Sequence, residues 1–345
     1  MSPNMPSQSS PTNVGVSVPL LEVHGVVRSF TLPHPSFGPA SRVQAVTDVS
    51  FAIAPGEVLG LVGESGSGKS TLARLVMRLL EPDHGSVLFE GQDLAALVGA
   101  DLKRFRGTVQ MVFQDPYASL NPRRNVGQAI DEVLALHGGQ HRAERHVLAG
   151  DLLERVGLAR SDIARRPHEF SGGQRQRIAI ARALAVEPRV LVADEPVSAL
   201  DVSVQAGILA LLRDLQSSFN LAMLFISHDL GVVELMADRV MVLYLGRVME
   251  VASVRSVFRE PRHPYTAGLL WAAPGARRRR GQPVLLNDEI PSPADPPSGC
   301  VFRTRCPFAQ SECAQSVPPL RTVGPGHQIA CLRDDLALEA PEPHA

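Results

Sequence analysis

Residues 63–71 read GESGSGKST and fill the pattern GxxxxGK[ST] at every fixed position. Before them EVLGLVG has the continuous apolar texture of a buried strand, and after them TLARLVMRLL carries apolar residues at helical spacing. A strand, a glycine-rich turn and a helix in that order are the context in which the pattern cradles phosphate. Gly63, Gly66 and Gly68, with Ser65 among them, let the backbone curl so that successive N–H groups turn inward. Lys69 supplies a point charge for β- and γ-phosphates, and Ser70, followed by Thr71, can ligate Mg²⁺. A chance match in a chain this long arises about once in a hundred, so a plain glycine turn does not account for it.

Further apolar runs, GTVQMVFQ, RVLVADEP, LAMLFISHD and RVMVLYLGRVMEV, alternate with helix-like stretches from about Leu20 to Leu270. That alternation predicts an α/β domain with a largely parallel sheet. Ligands of such sheets sit off the C-terminal ends of the strands. Asp194 ends one run and is placed to hold Mg²⁺, and Glu195 beside it to orient and polarise a water. Gln114 and His228 are lone polar residues just past two other runs. Either by itself reads as an ordinary loop residue, but all these strand ends belong to one sheet. A second stretch, SGGQRQR at 171–177, reads as a helix start with bare backbone amides, which is another anion site about a hundred residues later.

The bulk composition is that of an ordinary soluble protein: 345 residues, 44% hydrophobic, 20% charged, net charge −1. The length suggests roughly two domains. Nothing in the charge balance favours nucleic acid as the main partner, and no run approaches the ~18 apolar residues of a spanning helix. Residues 1–18, rich in Ser, Pro and Asn, read as a disordered tail rather than a signal peptide, which keeps the protein in the cytoplasm. Residues 274–299 are dense in Pro and Gly, as a linker is. The ARRRRG run within them, at 276–281, reads as a solvated linker stretch in preference to a contact with acidic lipid headgroups. All four cysteines, Cys300, Cys306, Cys313 and Cys331, fall in 300–335, and 336–345 reads as a frayed end. Their spacing is neither that of a zinc ribbon nor that of a ferredoxin, so from the residues alone metal binding and four unrelated thiols both stand.

SGGQRQR resembles the signature motif of ATP-binding cassette (ABC) ATPases. Around it the other motifs of that family stand in its order: Walker A (63–71), a Q-loop at Gln114, Walker B in LVADE, a D-loop in SALD (198–201) and a switch histidine at His228. The resemblance covers about residues 19–273. It implies the ABC ATPase fold, α/β, with a P-loop RecA-like core, an antiparallel β subdomain and an α-helical signature subdomain. A small Cys-containing C-terminal extension follows. It also implies ATP and Mg²⁺ as ligands, with Ser70, Gln114 and Asp194 about the metal, Glu195 as general base and His228 as γ-phosphate sensor.

In this family two cassettes pack head to tail, which implies that Ser171, Gly172, Gly173, Gln174 and Asp201 serve the ATP held by another subunit. An early-strand aromatic stacks on the adenine, for which Phe30 with Val46 beside it is the candidate; a core role for Phe30 stands equally. FQDPYASLNPR (113–123), HPYTAGLL (263–270) and the insert TLPHPSFGPASRVQ resemble the ATP-binding subunits of oligopeptide and dipeptide importers. That branch implies two transmembrane permease subunits, a second ABC subunit and, indirectly, an extracytoplasmic binding protein as partners. The location implied is peripheral, on the cytoplasmic face of the membrane. In that branch's tail such a Cys set can hold a [4Fe-4S] cluster, which would make the four cysteines its ligands. The alternatives are a soluble ABC ATPase that remodels a protein or nucleic-acid complex and a non-catalytic nucleotide switch; the intact Lys69, Asp194, Glu195 and His228 argue against the latter.

Overall fold

The computed structural model describes residues 18–32, 41–137, 141–273, 284–286, 289–338 and 340. The first 17 residues, positions 33–40 of the insert, the arginine run and the last five residues lie outside them.

Strands β1 (Leu21–Leu32) and β2 (Ser41–Ile53) lead into β3 (Val58–Val62), the glycine-rich turn and α1 (Lys69–Val76). Then come β4 (His84–Phe89), β5 (Gln92–Asp93), α2 (Gly99–Thr108) and β6 (Val109–Val112). A helical block follows: α3 (Pro116–Ser119), α4 (Val126–His137), α5 (Arg142–Arg155) and α6 (Gly172–Leu184). Strand–helix alternation resumes with β7 (Val190–Asp194), α7 (Val202–Phe219), β8 (Ala222–Ser227), α8 (Leu230–Met236) and β9 (Arg239–Tyr244). The chain closes with β10 (Arg247–Ser253), α9 (Val254–Arg259), α10 (Pro264–Ala272), β11 (Arg321–Gly324) and β12 (His327–Ile329).

Among the described residues these strands make a four-stranded antiparallel sheet, β2-β1-β4-β5, and an eight-stranded sheet, β11-β12-β10-β9-β3-β8-β7-β6. β3 is central and parallel to both β8 and β9. Period-2 alternation divides its neighbours between two cores. Leu59, Leu61, Leu224, Ile226, Met241 and Leu243 pack towards α1 and the antiparallel sheet. Val58, Val62, Met223, Phe225, Val240 and Val242 pack towards the helical block and α8. Gly60 shares that second side, where a Cβ would come within 2.5 Å of Val233 Cγ1. No described helix is long and apolar enough to cross a membrane.

The C-terminal segment is joined to the cassette more closely than a linker and appendage suggest. β12 pairs with β10, Glu250 opposite Ile329, so the last hairpin extends the main sheet. Glu250, fully buried, accepts bonds from the Arg262 and His263 amides and from His327 Nε2 at 2.7 Å. Leu338, within the stretch expected to fray, is buried with Ala267 and Val284.

Candidate functional site

The turn after β3 opens a cavity of about 920 Å³ at the C-terminal edge of the parallel strands, the expected end of such a sheet. Gly68 caps α1 with φ 104°, and a Cβ there would stand 2.1 Å from the Ala45 carbonyl oxygen. Lys69 turns back over the loop and donates to the carbonyls of Gly63 (2.7 Å) and Glu64 (2.9 Å). It is 6% exposed, and burial pushes its ammonium pKa down, opposed by the nearby carboxylates of Glu195, Asp194 and Glu64. Ser65, Gly66, Ser70 and Thr71 complete the loop side of the cavity.

The opposite wall comes from three neighbouring strand ends. Asp194, at the end of β7, is 7% exposed and accepts a bond from Ser70 Oγ at 3.4 Å. Burial raises its carboxyl above the usual range, and the Ser70 bond partly opposes this. Glu195 follows in a left-handed conformation, φ 47°, its amide donating to the Ile226 carbonyl. Its Oε2 accepts from Gln114 Nε2 at 2.9 Å and faces His228 Nδ1 at 3.3 Å. Residues from positions 114, 195 and 228 thus meet beside Lys69, as the strand-end reading expects. A site of this size, with a buried ammonium and a hydroxyl–carboxylate pair, fits a nucleoside triphosphate with its divalent cation.

The second stretch expected to bind an anion is a helix start. Ser171 caps α6 in a reciprocal box: its Oγ accepts from the Gln174 amide, and Gln174 Oε1 accepts from the Ser171 amide. That arrangement leaves the Gly172 and Gly173 amides at the positive end of the helix. A Cβ at Gly173 would meet Val204 Cγ1 at 2.3 Å, so the turn packs against the start of α7 just after Asp201. None of Ser171, Gly172, Gly173, Gln174 and Asp201 lines the cavity that holds Lys69.

The early strands differ from expectation. Val46 is wholly buried in the core, while Val43 and Ala45 line the cavity. Strand alternation explains it, because residues 43 and 45 share one face and residue 46 the other. Phe30 pairs with Val43, is half-buried outside the cavity lining, and carries the Arg28 guanidinium 5.2 Å from its ring centre. Sequence reasoning missed two links altogether. Tyr117, close after Gln114, holds the Arg175 guanidinium of α6 at 4.3 Å, joining the Q-loop to the signature helix. Arg305, from the Cys-bearing segment, forms an ion pair with Glu64 inside the cradle.

All four cysteines are free thiols lining one cavity. Burial pushes Cys300 up to about 11 and Cys306 up to about 12, and raises Cys331. The cavity measures about 20 Å³, room for roughly one water. Among the described residues no group of three or more His, Cys, Asp or Glu is placed to hold a metal ion.

A Walker cradle on a parallel sheet, a glutamate–histidine pair at adjacent strand ends and a serine-capped Gly-Gly helix start define an ATPase of the ATP-binding cassette class. Residues 46–198 match the ABC transporter family model, and residues 249–313 match that of the oligopeptide/dipeptide transporter C-terminal region. A putative peptide import ATP-binding protein of Brucella ovis is 53% identical over 92% of this chain and 99% of its own length. The oligopeptide transport ATP-binding protein AppF of Bacillus subtilis is 48% identical over 90% of this chain and 96% of its own. Among solved structures, the dimeric, ADP- and Pi-bound ATP-binding cassette MJ0796 aligns with TM-score 0.61 and 28% identity, over 68% of this chain and 99% of its own. For cbiO1 from Clostridium perfringens, part of the ABC transporter complex cbiONQ, the TM-score is 0.59 at 29% identity, over 70% and 90% of the two chains. The chain belongs to the ABC transporter family, among its oligopeptide and dipeptide transport ATP-binding proteins.

Proposed function

We propose that this chain is the ATP-hydrolysing motor of a peptide importer, bound peripherally at the cytoplasmic face of the membrane to two transmembrane permease subunits. A second cassette, identical or homologous, completes each ATP site, and an extracytoplasmic binding protein delivers the peptide. The observation that carries the catalytic part is the convergence of Gln114, Glu195 and His228 beside Lys69. Peptide as cargo rests on the relatives at 53% and 48% identity and on the match at 249–313.

ATP is the substrate. Lys69 and the cradle amides hold its phosphates, while Glu195 takes a proton from the water that attacks the γ-phosphorus, releasing ADP and phosphate. His228 orients Glu195 and reads the γ-phosphate; Gln114 relays the state of the site towards a partner. Ser70, Asp194 and Gln114 would hold Mg²⁺, which when bound neutralises phosphate charge. Ser171, Gly172, Gly173, Gln174 and Asp201 serve the other subunit's ATP, a reading supported by their absence from the lining of their own chain's cavity. Phe30 remains the candidate for stacking on the base. At the tail, four thiols on one cavity suit a soft metal or an iron–sulfur cluster by donor type. Absence of iron and sulfide from anaerobically purified protein would remove that reading.

The test is purification of the tagged chain from membranes in mild detergent. Two permease subunits should accompany it, with or without a second cassette protein. Recovery only from the soluble fraction, with no membrane partner, would replace import by the remodelling of a soluble complex.

A further inference from the structure

Glu64 is the acid inside the cradle, between Gly63 and Ser65. A carboxylate there sets negative charge at the rim of a site built for phosphates. Each polar group of Glu64 is engaged. Its amide donates to Tyr265 Oη at 3.1 Å, and its carbonyl accepts from Lys69 Nζ at 2.9 Å. Its carboxylate accepts two bonds from the Arg305 guanidinium, at 2.5 and 3.0 Å. Arg305 is only 4% exposed and also lies over the ring of Tyr244, 5.7 Å from the centroid. A planar, bidentate pair of this kind, its guanidinium buried and its carboxylate at the cavity wall, is among the stronger polar contacts a protein makes. Removing one member leaves a charge without compensation.

The turn that carries Arg305 is seated firmly. Between Cys300 and Cys306 it also bears Phe302, 1% exposed, whose ring packs edge-on against Tyr244 at 5.4 Å and lies 5.2 Å from Tyr265. An aromatic platform under the cradle therefore fixes where the guanidinium stands. On its other side, the same Glu64 that Arg305 grips holds Lys69 through its carbonyl.

We propose that Arg305 is a positioning residue of the ATP site: it neutralises Glu64 and steadies the loop that aims Lys69, so the C-terminal segment sets the affinity for the triphosphate. The full-length chain tests this through steady-state hydrolysis of MgATP, equilibrium binding of a fluorescent ATP analogue and thermal melting. Arg305→Ala should raise KM for MgATP about tenfold with kcat within about twofold, the size expected for one lost charge-assisted contact. Adding Glu64→Gln should return KM to within about threefold of the original, since the exposed negative charge is then gone. Arg305→Lys should fall between, because it keeps the charge without the fork. A lower melting temperature with KM unchanged would overturn the proposal and leave Arg305 as a structural tie. So would a rise in KM that is the same with and without Glu64→Gln. If Arg305→Ala does not fold, Arg305→Lys with and without Glu64→Gln supplies the same comparison.

Discussion

Glu195 keeps a left-handed backbone that few non-glycine residues adopt, and its amide is tied to the neighbouring strand. Strain of that kind is retained where it aims a functional group. Glu195→Gln preserves the shape and a carbonyl acceptor for Gln114 but removes the proposed base. Hydrolysis should fall about 10²–10⁴-fold with ATP affinity intact and a closed dimer favoured; phosphate release, equilibrium binding and gel filtration with ATP check it. Near-normal turnover would take the base role away from Glu195. Gly68→Ala should abolish nucleotide binding, because the added carbon would strike the Ala45 carbonyl at a backbone angle reserved for glycine; titration with a fluorescent ATP analogue reads it. Gln114, Glu195 and His228 were legible because each is a polar residue ending an apolar run of one sheet. Arg305 was not, since its partner lies 241 positions away and local patterns carry no trace of such a pair.

At the scale of elements, α10 depends on a histidine that stays neutral at pH 7 where it sits. His263 caps the helix by accepting from the Tyr265 amide, its ring bonds the Ala330 backbone, and Glu250 holds its own amide. Burial lowers its pKa to about 4, opposed by Glu250 and the Ala330 contact. A folded value below the usual 6.5 contributes stability that is present above 6.5 and lost as pH falls towards 4. The loss amounts to about 3 kcal/mol at most. The loss of stability between pH 7 and pH 4.5 should therefore be smaller in His263→Asn, which keeps a good cap without the titration; an unchanged pH slope would refute this. The parallel strands were readable from their apolar runs. RVMVLYLGRVMEV hid a turn, because Leu245 and Gly246 both take positive φ and split it into β9 and β10. Leucine there sends no turn signal.

For the whole molecule, the Pro- and Gly-rich change in texture at residue 274 was visible, but not the return of the chain to the sheet. β12 is three residues long, too short to register as a strand pattern, and its place is set by Glu250, far behind it in the sequence. A chain ended at residue 283 would bare the edge of β10 and remove both His327 from Glu250 and Arg305 from Glu64. Such a truncation should lose about 3 kcal/mol or more and aggregate through the opened edge; soluble yield and melting temperature against the full chain decide it. The same contact has a consequence in time. Ribosomes add roughly 5–20 residues per second, so Glu64 is made some tens of seconds before the arginine 241 residues later that neutralises it. Until then the nascent cassette carries beside Lys69 an acid without its arginine partner, and its nucleotide site takes its final form only after Arg305 has been made.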